Sequence, residues 1–406
     1  MKNLSIKISL YINYFVFAIL LNSVGIVILK SQNIYHVSEL SAATLEPFKD
    51  FSIAIISFLV ASFLPRFGYK KSMLVALLIV TCACIGMYFG NSFLAARLLF
   101  ACIGTSFALI KISVYSVIGL ITNNTKEHNS MMSGIEGFFM FGVSSAYFIF
   151  PFFNSDTDMN AWLNVYLFLA LLSFMSFLFL LFSHFEEHKE LVHPSLKEDF
   201  VAMFNLFPKK IVLIFLACAF LYVMIEQGIM TWLPTFNSRV LHLSENLSIM
   251  MASILAISLG TGRIFAGIIT KRVTWFWVLS VCIVGAMIMV IFVLPEAIQL
   301  RLEKVTSIYQ IPFLGFAFPL VGIFISPIYP LLNSVILSSL PKDVHSPMAG
   351  LIIVFSAVGG TLGSLLTASL FRNIGGDKAF TYTLIPLALL LACLIIFKRQ
   401  TQNKIS

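Results

Sequence analysis

Residues 42–71 read AATLEPFKDFSIAIISFLVASFLPRFGYKK. Three charges, Glu46, Lys49 and Asp50, fall within five residues; an apolar run, 51–65, follows, and then Arg66, Lys70 and Lys71. That run is about 15 residues, or roughly 22 Å of helix, short of a hydrocarbon layer of roughly 30 Å. A helix that crosses the layer must begin near Ala42 and carry the three charges into the outer part of the membrane. Charges there cost at least a few kcal/mol each unless they pair or face water, so their default reading is functional. Glu46 lies one helical turn from both Lys49 and Asp50, and a local ion pair offsets part of that cost. The bland alternative is a shorter helix with these residues solvated in an outer loop.

The rest of the chain decides for the membrane. Of 406 residues, 59% are hydrophobic and only 11% charged, with 41 phenylalanines. A soluble chain of this length would be about one quarter charged, with polar faces breaking its apolar runs. Here runs of about twenty apolar residues recur from end to end, the pattern of a polytopic helical membrane protein. The net charge of +8 does not point to nucleic acid, because the basic residues sit in short loops and form no basic domain. The six cysteines fall inside apolar runs without ligand spacing, and the histidines lie near loops with no HExxH. No metal and no cofactor are expected. No cleavable signal stands out, since the apolar stretch from Ile6 is too long for a signal core. Without a Walker loop or a GxGxxG after a strand, neither ATP-driven transport by this chain alone nor enzyme activity is expected.

Twelve spans are expected, at 6–30, 42–65, 72–90, 95–122, 131–153, 161–183, 211–236, 246–270, 275–294, 309–339, 348–371 and 379–397. The fold class is therefore an all-α membrane protein. Its divisions are a six-helix bundle over 1–183, a charged linker over 184–210 and a second six-helix bundle over 211–406. Lys2, Lys7, Arg66, Lys70, Lys71, Lys126, Lys189, Lys209, Lys210 and Arg399 collect on one side, which places both termini in the cytoplasm of a bacterial inner membrane. The halves echo each other. The basic loop 65–71 after span two is answered by 262–267 and Lys271-Arg272 after span eight. Such a parallel repeat implies two bundles with solute bound near the midplane.

These features resemble the major facilitator superfamily, and the likeness covers the whole chain. The family's loop motif reads Gly-x-Leu-x-Asp-Arg-x-Gly-Arg-Lys; Arg66, Gly68 and Lys70 match it, while Ala61 and Pro65 replace the first glycine and the acidic residue. The second copy keeps Gly267 and Arg272. Within the superfamily, three stretches are similar to the fucose–proton symporter group. They are Phe220-Leu221-Tyr222-Val223 with Glu226, Gly228 and Trp232; Gly322 with Phe324, Ser326, Tyr329 and Pro330; and Val358-Gly359-Gly360. Span one carries the group's pattern up to Asn22, but Ser23 stands where the group has an acidic residue. The resemblance implies a major facilitator fold, and a cytoplasmic gate at Arg66, Gly68, Lys70, Arg263 and Arg272.

Transport requires a site that binds differently in two states and a titratable group that links solute to proton movement. Low dielectric favours the protonated form of a carboxylate, so such a group loads and releases protons near neutral pH. Glu226, in the middle of span seven and beyond snorkelling reach of either end, is the first candidate for proton coupling, with Glu46, Asp50 and Glu136. A Glu226 bonded across helices for structure alone is the competing reading. Lys111, central in span four, either neutralises a carboxylate among Glu46, Asp50 and Glu226 or clamps an anionic solute. Lys49, Asn22, Tyr115, Tyr222, Gln227, Trp232, Tyr329 and Asn333 are the further residues expected on cavity faces. Arg97, Trp162, Trp275 and Trp277 are expected as interfacial anchors.

The expected function is proton-coupled uptake of a small polar organic solute by alternating access, with the lipid bilayer, solute and protons as partners and a monomer as the working form. A carboxylate-bearing metabolite or siderophore fits the charges; a sugar fits the resemblance. An exporter of drugs or metabolites, and a non-transporting receptor on the same scaffold, are the alternatives.

Overall fold

The computed structural model describes residues 4–61, 64–122, 125–155, 157–183, 201, 203–270, 272–299, 305–341 and 345–402. Among them, eleven helices are long and apolar enough to cross a membrane: Leu4–Ile34, Tyr69–Gly90, Phe93–Ile121, Ser130–Phe152, Ala161–Phe182, Lys210–Arg239, Glu245–Ile269, Trp275–Gln299, Phe313–Ser338, Pro347–Ile374 and Gly376–Thr401. The twelfth span is Leu45–Ala61, which carries Glu46, Lys49 and Asp50 in its first two turns. They are numbered one to twelve in chain order, so span two is Leu45–Ala61. Most of the expected linker, 184–200, lies outside the described residues.

Local chemistry sets the ends and the breaks. Ser92 caps span four by accepting from the Ala95 amide at 3.2 Å, satisfying an amide the helix leaves unpaired. Gly68, between spans two and three, has φ +101°, a conformation that glycine reaches without steric cost. Span one is interrupted at Ser23, whose hydroxyl donates to the Leu20 carbonyl. Span ten runs as Phe313–Ala317, a 3-10 turn Phe318–Leu320, Val321–Ile325 and Ile328–Ser338; Pro319, Pro327 and Pro330 each remove a backbone donor there. In span nine a π turn, Met289–Val293, sits just ahead of Pro295, another place where the regular ladder is interrupted.

The chain divides into two compact units. Unit one comprises Met1–Val37 and Thr44–Leu196, and unit two comprises Ser38–Ala43 and Lys197–Ser406. In unit one, spans one, five and six pack together, and span four packs on spans two and three. Trp162 is 1% exposed and packs against Tyr35 and Tyr166. It is a core residue rather than the interfacial anchor its place at a span end suggests. The unit two core gathers Phe236, Phe318, Phe371 and Phe380, with Trp232 against Phe371 at 5.2 Å.

In unit two, spans seven and eleven pack closely along their length, and glycine is the reason. A Cβ at Gly359 would stand 2.6 Å from the Phe220 carbonyl oxygen, and one at Gly363 would overlap the Met224 carbonyl. The i, i+4 spacing of Gly359 and Gly363 is the small-residue pattern that lets backbones approach in a membrane. The Trp232 indole N–H then donates to Ser364 at 3.1 Å across the pair. Gly363→Ala is expected to destabilise the protein by about 1–3 kcal/mol through overpacking. Gly119→Ala, where nothing lies within 4 Å, should be close to neutral; thermal unfolding in detergent compares the two.

The short helix Glu39–Ala43 belongs to unit two although the chain on either side of Ser38–Ala43 belongs to unit one. Ala42 and Ala43 are fully buried, and Glu39 accepts a charge-assisted hydrogen bond from Arg239. Partial burial alone would raise the Glu39 pKa; the Arg239 hydrogen bond and the positive fields of Arg239 and Arg372 outweigh it and hold the carboxyl below its ordinary value of 4.5. A lowered pKa stabilises the fold above the unfolded value, and that stabilisation is lost as pH falls through the lowered one. With Arg239 partly solvated, the pair contributes at most about 1 kcal/mol. Glu39→Gln should therefore lower the melting temperature at pH 7 and have little effect well below pH 4.5, measured by thermal melts across pH.

Candidate functional site

The first turns of span two hold the densest set of buried charges. Glu46 is 0% exposed, Lys49 4% and Asp50 7%. The Lys49 ammonium lies 2.6 Å from a Glu46 oxygen and 3.6 Å from an Asp50 oxygen. Span four comes close against this turn because Gly104 has no side chain; a Cβ there would overlap the Lys49 carbonyl. Tyr147, fully buried in span five, is within electrostatic reach of Glu46. One ammonium thus serves two carboxylates. The expected arrangement of a local ion pair is present, and it is sealed from solvent rather than solvated in a loop.

A second set is built on span four. Phe107, Lys111 and Tyr115 repeat at four-residue spacing and so share one helix face. The Lys111 ammonium stands 5.9 Å from the Phe107 ring centre and 6.0 Å from that of Tyr115. Tyr14 of span one packs against both rings at 6.2 Å and against Phe139 at 5.7 Å. The Tyr115 hydroxyl donates to Glu136 of span five at 2.6 Å. Lys111 is exposed, and among the described residues it forms no ion pair with Glu46, Asp50 or Glu226.

Unit two holds the third set. The Tyr222 hydroxyl donates to Glu226 at 2.6 Å, one turn along span seven. Arg263 of span eight reaches the same carboxylate oxygen at 3.6 Å. Tyr329 of span ten stacks on Tyr222 at 5.4 Å and 19°. Its hydroxyl lies 3.0 Å from Ser356, with Asn333 close by. Arg263, expected at a gate, therefore stands with Glu226.

The remaining expected residues are scattered. Asn22 donates back to the Ala18 carbonyl of its own helix, and Gln227 is half-buried beside Glu226. Trp232 belongs to the span seven–eleven contact. Lys70 donates to the Leu181 and Ser183 carbonyls at the end of span six, where a cation complements unpaired carbonyls. Arg272 is exposed, and the Arg66 side chain lies outside the described residues. Arg97 donates to Thr44 at 3.1 Å and lies over Phe93 at 4.5 Å.

Sequence reasoning passed over Lys30, buried and 5.8 Å from the Trp162 ring, and Asn13, which accepts from Ser176 of span six. The charge of Lys30 itself invites ending span one at that residue. The helical stretch Leu4–Ile34 is 31 residues long, so Lys30 is inside it rather than at a boundary.

The sequence profile described as Major Facilitator Superfamily matches residues 10–364. The chain belongs to the major facilitator superfamily. As a member, it is a transporter rather than an enzyme, and its fold recurs in solved structures. A bacterial homolog of the human lysosomal transporter Spinster, inward-facing and occupied, is 13% identical with a TM-score of 0.77, covering 97% of this chain and 96% of that one. A D-xylose–proton symporter is 14% identical with a TM-score of 0.74, covering 97% of each chain. The nucleoside transporter NupG is 15% identical with a TM-score of 0.72, covering 98% and 99%. At these identities the likeness speaks for the major facilitator fold alone. A sequence comparison with curated proteins finds no match.

The span-two set carries its own test. Lys49→Met removes the ammonium that Glu46 and Asp50 share and should cost about 3–5 kcal/mol, the range for breaking a buried pair. Adding Glu46→Gln and Asp50→Asn should recover part of that loss, read as melting temperatures of the single and triple variants.

Proposed function

We propose that this chain is a secondary active transporter that takes up a small polar organic solute with protons across a bacterial inner membrane, both termini facing the cytoplasm. The reading rests chiefly on Glu226, a carboxylate inside a membrane span that receives one short hydrogen bond from Tyr222 and a loose contact from Arg263 at 3.6 Å. A fixed structural ion pair is expected to be close and bidentate. A carboxylate held at longer range can change partners, which a coupling group must do.

In the proposed cycle Glu226 takes a proton from outside, and its hold on Arg263 weakens. Solute binding then favours the rearrangement that exposes the site inward, by as much as its affinity differs between the two states. Loss of the proton to the cytoplasm restores the Glu226–Arg263 attraction and resets the carrier. Glu46 and Asp50, which share the Lys49 ammonium, form a second proton-accepting position; Glu136, bonded to Tyr115, sits on the solute side. Tyr222, Tyr329, Gln227 and Asn333 supply solute contacts in unit two, and Lys111 and Tyr115 do so in unit one. Arg66, Gly68, Lys70 and Arg272 serve the cytoplasmic gate.

The decisive experiment uses the purified transporter in liposomes, screened against sugars, carboxylates and nucleosides. Glu226→Gln should abolish accumulation driven by an imposed inward pH gradient and retain exchange of labelled for unlabelled solute, since exchange moves no net proton. Gradient-driven accumulation at the wild-type level in that variant would remove Glu226 from the mechanism.

A further inference from the structure

We infer that the solute is an organic anion with a flat apolar body, and that Lys111 of unit one binds its carboxylate. This rests on the transporter reading and deepens it.

Lys111 lies ten residues from the Ile121 end of span four, roughly 15 Å along the helix axis. Helical side chains lean toward the N-terminus, away from that end, so the ammonium cannot snorkel to it. An ammonium exposed there to lipid would cost at least a few kcal/mol. Its exposure is therefore to a water-holding surface, where a charged solute can reach it.

The other charged groups nearby are already occupied. Lys49 holds Glu46 and Asp50, and Glu136 takes the Tyr115 hydroxyl at 2.6 Å rather than Lys111. Lys111 is left as a cation in a membrane span with no carboxylate within ion-pair distance among the described residues. What surrounds it is aromatic: Phe107 and Tyr115 one turn to either side, with Tyr14 and Phe139 packed beneath. A neutral hexose needs several hydrogen-bonding partners around its ring. This floor offers ring faces, and its Tyr115 hydroxyl is directed at Glu136. One cation above an apolar shelf suits an aryl or alicyclic carboxylate, with the carboxylate on the ammonium and the body on the rings.

The test is binding to the full-length protein in detergent by calorimetry, with benzoate and cyclohexanecarboxylate as probes and benzamide and L-fucose as neutral comparisons. Both acids should bind and both neutral compounds should bind at least about tenfold more weakly, a result that needs no variant. Lys111→Gln should weaken benzoate by about tenfold or more, and Lys111→Arg should keep it within a few fold. Equal binding of benzamide and benzoate, or benzoate affinity unchanged in Lys111→Gln, would overturn the assignment. So would absence of binding by either acid. If L-fucose is instead accumulated in liposomes under a pH gradient, unaffected by Lys111→Gln, the transporter reading stands and the anion inference falls.

Discussion

An ion inside a membrane span must find a counter-ion, a hydrogen-bonding partner, an aromatic face (for a cation) or water, and this requirement organises the structure. Lys49 meets it with two carboxylates on its own helix, in a pocket where none of the three is more than 7% exposed. Arg263 meets it with Glu226 from a neighbouring helix, and Lys30 with the face of Trp162. Around Lys49 the attractions are strong because the surroundings are dry, and for the same reason each partner there is difficult to remove.

The two units solve the problem with related parts. In each, a tyrosine hydroxyl donates to a glutamate at 2.6 Å, a second tyrosine packs against the first, and a basic residue lies nearby. The construction differs in detail. Tyr222 and Glu226 sit one turn apart on one helix, whereas Tyr115 and Glu136 join spans four and five. Arg263 contacts its carboxylate, while Lys111 leaves its neighbour to the tyrosine. The units thus share a chemical vocabulary without repeating a sequence motif.

Span positions were legible because lipid imposes a coarse rule: about twenty apolar residues, then a break. Glu226 was legible for the same reason, as an acid too far from either end of its span to reach water. Other features depend on partners distant in sequence. Arg263 reads locally as a basic residue near a span end; only the approach of span eight to span seven makes it the neighbour of Glu226. Trp162 has the same local signature whether it faces lipid or core, and Tyr35 and Tyr166 from separate stretches decide the matter. Lys30 was concealed by its own charge, which invites ending the span there although the helix continues to Ile34.

Gly104 illustrates a different kind of importance. It contributes no group to the ionic cluster of span two, yet the space it leaves open is what allows span four to seat against the Lys49 carbonyl. A mutational survey confined to ionisable and aromatic positions would pass it by, and truncation to alanine, the usual deletion, is here an addition. For an engineer seeking to alter the cluster, the freedom to move charges is bounded by an atom that is not there.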